Sequence, residues 1–249
     1  MKAVVGGASS GLGAAIARNL AAQGYDLLLW ARNQERLSSV AQSLTGVKIE
    51  TVAADASDPG AAEKVADAAG EADILVLNAG GPPPAPADKT DADEWRRALQ
   101  LLTVTPIDLA TRLLPGMRER GFGRIIAVLS SGVREPLPEL SYSNSGRAAL
   151  AAWLKTVGRT VAADGVTVNG VVPGRIDTER VAALDRAAAT RTGKDEADVR
   201  AASIATIPAG RYGQPEEFAS VVGFLASPAS SYVTASLLSC DGGMMRSLT

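Results

Sequence analysis

The chain of 249 residues contains no histidine and a single cysteine, Cys240. The lack of histidine excludes Ser-His-Asp and Cys-His triads, imidazole acid–base catalysis and every histidine-containing metal site. One cysteine can form neither an intrachain disulfide nor a zinc or iron–sulfur cage. We therefore expect no metal site, and chemistry that depends on hydroxyls, carboxylates, Lys, Arg, Tyr or a bound cofactor.

Aromatic residues make up only 4% of the chain, and 25 Lys and Arg are balanced by 27 Asp and Glu. Because there is also no basic run, we expect no nucleic-acid partner. No apolar run approaches the roughly 20 residues of a membrane span, so we expect no membrane partner. The chain opens on a strand-like segment rather than a signal peptide, which predicts a cytoplasmic enzyme or binding protein.

Short apolar runs alternate with longer segments of helical period. The runs are rich in Val, Ile and Leu and mostly lack polar alternation, as in strands buried on both faces of a parallel sheet. They cover residues 2–6, 26–31, 47–53, 74–77, 124–129, 167–172 and 236–240. The alternation predicts an α/β fold, a Rossmann-like doubly wound parallel sheet of about seven strands flanked by helices. Without a repeat or linker, we predict one domain over 1–249. The segment 177–198 is polar, Ala-rich and helical in pattern, and we expect a small helical lid over about residues 177–212.

A glycine cluster follows the first predicted strand and opens a predicted helix over residues 12–23. Glycines let the backbone approach a pyrophosphate, and the helix N-terminus offers free N–H groups and a favourable dipole. The strand before and the helix after distinguish this pattern from an ordinary tight turn. The predicted cofactor contacts are Gly7, Ser9, Ser10, Gly11, Leu12 and Gly13.

The end of the second predicted strand bears on the choice of cofactor. An acid there would accept hydrogen bonds from the adenosine ribose, but the chain has Ala31 followed by Arg32. A guanidinium binds a phosphate through two hydrogen bonds, which favours NADP(H) over NAD(H). The alternative is that Arg32 is a solvated surface residue.

Further motifs, in order along the chain, resemble those of the short-chain dehydrogenase/reductase family. Asn78-Ala79-Gly80 resembles its Asn-Asn-Ala-Gly, the segment 173–178 resembles its Pro-Gly-x-x-x-Thr, and Asp241-Gly242-Gly243 resembles its C-terminal signature. Asp55 resembles the aspartate that meets the adenine, although a turn or helix cap is an alternative role. The resemblance implies cofactor contacts at Asp55, Ala56, Asn78, Ala79, Gly80, Pro173, Gly174, Ile176 and Thr178.

The catalytic positions depart from that family, in which a serine ends the fifth strand, a tyrosine follows thirteen residues later and a lysine four beyond. Ser130 fits the serine, but the count then places Ser143 at the tyrosine and Arg147 at the lysine. Leu102 replaces an upstream asparagine, and Tyr142 is the nearest phenol. A shift of one position rotates a helical side chain by about 100°, so Tyr142 points away unless the helix start is irregular. The catalytic candidates are Ser130, Tyr142, Ser143 and Arg147, with Arg147 also a candidate for the cofactor ribose, while packing is an equally good role for Tyr142.

More narrowly, the chain resembles a divergent branch of β-ketoacyl-carrier-protein-reductase-like proteins. Those proteins share Gly-Gly-Pro-Pro-Pro after the fourth strand and Ser-Asn-x-x-Arg in place of Tyr-x-x-x-Lys. This chain has the first pattern at residues 80–84 and the second at residues 143–147. The resemblance implies a coherent variant and leaves the substrate open.

Two functions follow from these patterns. The first is an NADP(H)-dependent oxidoreductase that transfers a hydride between the nicotinamide and a small carbonyl or secondary alcohol substrate, with an altered proton path. The alternative is an NADP-binding sensor or structural protein with little turnover. The resemblance also implies a homodimer or homotetramer that pairs residues 109–117 and 148–157, although these apolar faces could equally cover their own sheet.

Overall fold

The structure is a computed structural model, and it describes residues 1–247. Seven parallel strands in this part of the chain form one sheet in the order β3-β2-β1-β4-β5-β6-β7. The strands are β1 (Lys2–Gly6), β2 (Asp26–Ala31), β3 (Ile49–Ala53), β4 (Ile74–Leu77), β5 (Gly123–Val128), β6 (Val166–Pro173) and β7 (Leu237–Cys240). The predicted doubly wound sheet is confirmed, and each strand end lies within two residues of its predicted position.

Helices cover both faces of the sheet. They are α1 (Gly11–Ala22), α2 (Gln34–Gln42), α3 (Ala61–Ala69), α4 (Ala92–Leu99), α5 (Thr105–Glu119), α6 (Ser141–Val161), α7 (Glu179–Thr192), α8 (Glu196–Ala205) and α9 (Pro215–Ala226). One apolar cluster joins α1 and α9 to the sheet, and a second joins α3, α5 and α6 to its other face. The five inner strands are therefore buried on both sides, which explains their Val, Ile and Leu runs. The edge strands β3 and β7 are only partly buried.

The strand order reverses between β1 and β4, and this is the position of the functional crevice in open α/β sheets. Ligands bind there beyond the carboxyl ends of the strands. The loops that follow β1, β4, β5 and β6 meet at this edge, so the motifs predicted to bind the cofactor converge in space.

A π-helical turn, Gln100–Val104, joins α4 to α5 and contains Leu102. Leu102 is buried against α6, and a Cβ added at Gly146 would lie 3.0 Å from the Leu102 Cβ. The Thr103 hydroxyl also donates to the Gly146 carbonyl at 2.8 Å. The glycine four residues after Tyr142 is thus explained by the close approach of α6 to this turn.

No helix within residues 1–247 is long and apolar enough to span a bilayer. The cytoplasmic location stays a prediction.

Candidate active site

A cavity of about 750 Å³ opens at the crevice, within the roughly 300–1,000 Å³ typical of small-molecule sites. Most of the residues predicted to bind the cofactor line it. These are Gly7, Ser10, Gly11, Leu12, Gly13, Asn78, Ala79, Gly80, Arg147, Pro173, Gly174, Ile176 and Thr178. Of the catalytic candidates, Ser130, Ser143 and Arg147 line it as well.

The glycine loop forms a cradle at the start of α1. Gly7 and Gly11 have φ angles of 59° and 52°, in the left-handed region where a side chain is strained. A Cβ at Gly13 would lie 2.1 Å from the Gly7 carbonyl oxygen, so the helix can pack against the loop only with glycine there. Ser10 is the N-cap, and within the described chain its side chain accepts no capping hydrogen bond. The first N–H groups of α1 therefore remain available to an anion, and the cradle fits a dinucleotide pyrophosphate.

Asn78 holds the cradle in place from the neighbouring strand. Its Nδ2 donates to the Gly6 carbonyl at 3.1 Å, linking the carboxyl ends of β4 and β1. A Cβ at Gly7 would lie 2.7 Å from the same Nδ2. Asn78 thus fixes the position of the loop on which the pyrophosphate would rest.

Four residues predicted to bind the cofactor lie outside the cavity lining: Ser9, Arg32, Asp55 and Ala56. The Arg32 side chain is 75% exposed, and its Nη1 lies 3.8 Å from Asp55 Oδ2. Asp55 Oδ1 accepts hydrogen bonds from the backbone N–H and the hydroxyl of Ser57, both at 2.9 Å, as in a turn cap. The buried Ala56 gives its carbonyl to the Thr105 hydroxyl at 2.8 Å. Arg32 and Asp55 follow the neighbouring strands β2 and β3, so these two residues lie beyond the carboxyl ends of that part of the sheet.

Tyr142 lies away from the cavity, against the geometry that a proton donor would need. Its hydroxyl accepts a hydrogen bond from the Asp91 backbone N–H at 3.0 Å, and its ring packs edge-on against Trp95 with centroids 4.7 Å apart. The side chain is only 4% exposed. The helix start is regular enough that the rotation of about 100° per residue carries Tyr142 toward α4. The structure therefore corrects the interpretation of Tyr142 as a catalytic candidate and favours the packing role.

Arg147 reaches the ends of two central strands. Its Nη1 donates to the Val128 carbonyl at 2.5 Å, and its Nη2 donates to the Ala79 carbonyl at 3.2 Å. Burial, and then the nearby charge of Arg180, lower the pKa of Arg147 to about 10, so it remains a cation at neutral pH. A guanidinium has five N–H donors, so others remain for a ligand. Arg147 both joins β4 to β5 and places positive charge in the cavity.

Asn144, the second residue of the Ser-Asn-x-x-Arg pattern, positions a lining loop. Its Nδ2 donates to the Leu137 carbonyl at 2.8 Å, and Leu137 lines the cavity. Its Oδ1 is so close to Gly132 that a Cβ at that residue would lie 2.2 Å away. The Gly132 N–H in turn donates to Ser130 Oγ at 3.2 Å. The sequence does not predict this role of Asn144. Its place in the Ser-Asn-x-x-Arg pattern is the feature from which the role could have been found.

One face of α7 lines the cavity, and the sequence did not identify its residues. The lining residues of α7 are Glu179, Arg180, Val181, Leu184, Ala187, Ala188 and Arg191. The spacing of Arg180, Leu184 and Arg191 is helical, which is a signal that the sequence did contain. Arg180 Nη2 donates to the Pro82 carbonyl at 3.0 Å and so spans from α7 to the loop after β4. This contact joins the start of α7 to that loop, so α7 forms one wall of the cavity.

A buried carboxylate anchors α7 to the body of the fold. Asp185 is 2% exposed, accepts from Arg175 Nη1 at 3.0 Å and accepts from the Tyr212 hydroxyl at 2.9 Å. Burial raises the pKa of the Tyr212 phenol, so it remains a donor at neutral pH. Arg200 of α8 stacks over the Tyr212 ring at 4.2 Å and pairs with Asp177 at 2.7 Å. The two helices of the segment are thus fixed by one polar network.

Replacing Asp185 with alanine is expected to lower the free energy of unfolding by about 2–3 kcal/mol. Breaking a fully buried ion pair costs about 3–5 kcal/mol, and the Arg175 side chain is 35% exposed, which reduces the loss. Urea denaturation of wild type, Asp185→Ala and Asp198→Ala measures this difference in stability. Asp198→Ala is the control, because it removes a carboxylate from the exposed first turn of α8. Equal stability of the two variants would contradict the anchoring role.

Comparison with known proteins gives consistent matches along the chain. A family model described as "Enoyl-(Acyl carrier protein) reductase" matches residues 7–245. Cis-4-hydroxycyclohexanecarboxylate dehydrogenase of Sinomonas cyclohexanicum is 37% identical over 250 residues, covering 97% of this chain and 95% of that protein. The 3-oxoacyl-[acyl-carrier-protein] reductase FabG of Salmonella typhimurium is 33% identical, covering 97% and 96%. The crystal structure of L-sorbose reductase from Gluconobacter frateurii, complexed with NADPH and L-sorbose, is similar with a TM-score of 0.93 and 34% identity, covering 99% and 97%.

Proposed function

The chain belongs to the short-chain dehydrogenase/reductase family, and on that premise we propose that it is an NADP(H)-dependent oxidoreductase acting on a carbonyl or secondary alcohol. One observation carries the proposal: a single cavity joins the glycine cradle to Ser130, Ser143 and Arg147. A nucleotide held in the cradle would supply a hydride to a carbonyl carbon of a substrate bound beside these side chains. The relatives' names describe a hydroxycyclohexanecarboxylate dehydrogenase, a 3-oxoacyl-[acyl-carrier-protein] reductase and an L-sorbose reductase, whose substrates carry a hydroxyl or oxo group.

In the proposed reaction the residues of the chain orient and stabilise the carbonyl oxygen. The hydroxyls of Ser130 and Ser143 donate hydrogen bonds to it, and the Arg147 cation stabilises the negative charge that develops there. A serine hydroxyl is a far weaker acid than a phenol, and a guanidinium holds its proton at working pH. We therefore assign the proton to water from the open cavity, with the serines directing it.

We propose NADP(H) over NAD(H) because Arg32 follows β2 where an acid would be needed to favour NAD(H). A 2′-phosphate would draw the Arg32 guanidinium from Asp55, 3.8 Å away, into a bidentate pair. The L-sorbose reductase complex with NADPH supports the same choice. We further propose one domain over 1–249 with 177–212 as its lid, and a homodimer or homotetramer as the assembly.

An NADP-binding sensor or structural protein is the second candidate. It is favoured by the composition of the cavity wall, because no tyrosine and no lysine among residues 1–247 lines the cavity. The proton transfer pair of the family thus has no counterpart there in residue type, whereas the cradle for the nucleotide is intact.

Fluorescence titration with NADPH and NADH, followed by turnover measurements with a panel of ketones, tests the proposal. Wild type is expected to bind NADPH more tightly than NADH. Arg32→Gln is expected to weaken NADPH binding about 10–100-fold, the worth of a charged hydrogen bond, and to change NADH binding less than about threefold. Turnover with NADPH would establish the oxidoreductase. Tight binding without turnover favours the sensor, and binding of neither nucleotide would refute both candidates.

A further inference from the structure

We propose that the substrate of this site carries a carboxylate, bound by Arg180 at the α7 side of the cavity with support from Arg191. The inference rests on the proposed function for the identity of the cavity as a substrate site. It adds a substrate class, an anionic carbonyl compound, to the reaction.

Some of the charged residues that line the cavity form ion pairs within the protein, and others do not. Arg175 contacts Asp185 at 3.0 Å, so its charge is offset within the fold. Glu179 is likewise offset by Arg36 of α2, whose Nη1 lies 3.0 Å from Glu179 Oε2. The charge of Arg175 is thus balanced by Asp185, and the charge of Glu179 is balanced by Arg36. Neither lining residue needs a ligand of opposite charge.

The remaining charged residues of the lining are Arg147, Arg180, Arg191 and one acid, Glu139. Across residues 1–247, no carboxylate lies within 4.0 Å of the guanidinium nitrogens of these three arginines. Three cations facing one carboxylate make the cavity a positive site. This excess of positive charge attracts an anion, most strongly near the buried Arg147, while Arg180 and Arg191 are exposed enough to be reached from solvent.

Arg147 and Arg180 approach the same short loop after β4. Arg147 Nη2 donates to the Ala79 carbonyl at 3.2 Å, and Arg180 Nη2 donates to the Pro82 carbonyl at 3.0 Å. A Cβ at Gly81 would lie 2.8 Å from that Arg180 nitrogen, so the loop and the guanidinium are in close contact. Two like charges held near one loop repel each other, and an anion between them relieves the repulsion.

Much of the remaining lining of the cavity is apolar and includes Leu137, Pro138, Leu140, Val181, Leu184 and Met244. Apolar walls favour a hydrocarbon frame, and the planar fork of a guanidinium matches a carboxylate bidentately. The geometry therefore fits an oxo acid with a compact hydrocarbon body.

The cofactor's phosphates are the other anions that Arg180 could bind, and the experiment separates the two sources. Cyclohexanecarboxylate and cyclohexanecarboxamide are titrated by calorimetry into the full chain, with and without saturating NADPH. These probes share a frame and differ in charge, and neither needs turnover. NADPH affinity is measured for the same proteins.

The variants are Arg180→Gln, Arg180→Lys and the control Arg186→Gln, which removes the same charge from α7 outside the cavity lining. Wild type is expected to bind the carboxylate at least tenfold more tightly than the amide. Arg180→Gln is expected to lower the affinity for the carboxylate at least tenfold and to leave the affinity for the amide unchanged. Arg180→Lys is expected to retain part of the preference for the carboxylate. Arg186→Gln is expected to bind both compounds within about twofold of wild type. NADPH affinity of Arg180→Gln should stay within about threefold of wild type.

Equal binding of carboxylate and amide by wild type would overturn the inference. So would an Arg180→Gln variant that loses NADPH affinity while keeping its preference for the carboxylate, because the guanidinium would then serve the cofactor's phosphates. Failure of wild type to bind NADPH would refute the proposed function instead, and the titrations without nucleotide would still decide the carboxylate. If circular dichroism shows that Arg180→Gln does not fold, the carboxylate and amide affinities of Arg180→Lys and Arg191→Gln are compared with those of wild type instead.

Discussion

Replacing Gly13 with alanine is expected to reduce NADPH binding by more than about 100-fold. The added Cβ would lie 2.1 Å from the Gly7 carbonyl oxygen and 2.6 Å from its carbonyl carbon, both backbone atoms that no side-chain rotation can move away. It would also lie 2.9 Å from Asn78 Nδ2, the donor that links the carboxyl end of β4 to Gly6 of β1. Relief of this overlap must move α1 away from the loop, which removes the N–H groups from the pyrophosphate position. Fluorescence titration of the folded variant measures the loss.

Gly60→Ala is the matched control for this substitution. Gly60 is the N-cap residue of α3, has a φ of −83°, and an added Cβ there would meet no atom of the described structure within 4 Å. It is therefore expected to bind NADPH as wild type does, with stability changed by less than about 1 kcal/mol. Wild-type NADPH affinity in Gly13→Ala would show that the cradle does not hold the nucleotide.

The double substitution Ser143→Tyr with Arg147→Lys is expected to raise the rate of ketone reduction by about 10²–10⁴-fold, the usual contribution of a positioned general acid. Ser143 lines the cavity from the first turn of α6, so a phenol there would extend toward the substrate side. A lysine one helical turn later lowers the phenol pKa from about 10 toward the working pH. Stopped-flow measurement of NADPH oxidation with a ketone compares the variants under saturating cofactor.

The single variants serve as controls for the double substitution. Arg147→Lys alone is expected to lose activity, because one ammonium group replaces a planar fork that donates to both Val128 and Ala79. Ser143→Tyr alone is expected to gain less than the pair, since the buried phenol would lack the lysine. A folded double variant that binds NADPH and still reduces no ketone would favour the sensor.

The sequence predicted the strands closely and their ends less closely. Short runs rich in Val, Ile and Leu are typical of strands in a covered parallel sheet, so a local pattern located all seven, including the partly buried edge strands β3 and β7. The sequence predicts that β3 begins at residue 47, but its pairing with β2 begins at Ile49, opposite Leu27. The limits of a strand depend on which residues of the neighbouring strand pair with it. The strand's own sequence does not specify that neighbour.

The glycine cradle was also predictable, because its geometry depends on residues that are neighbours in the chain. The left-handed angles of Gly7 and Gly11 and the helix beginning at Gly11 follow from seven consecutive residues. Arg32 and Asp55 were identified from their places after strands, yet their 3.8 Å approach to each other follows from the pairing of β2 with β3.

The sequence by itself determined the family, the doubly wound sheet and the loop that would hold a nucleotide, since each depends on short-range pattern. Only the tertiary structure decided which residues of α6 and α7 face the cavity. It directed Tyr142 to α4, joined Arg147 to a carbonyl 68 residues away, and placed Arg180 on a loop 98 residues away. Such contacts depend on the rotation of each helix about its axis and on which strands become neighbours. Both are fixed only when the hydrophobic faces of the helices pack on the completed sheet.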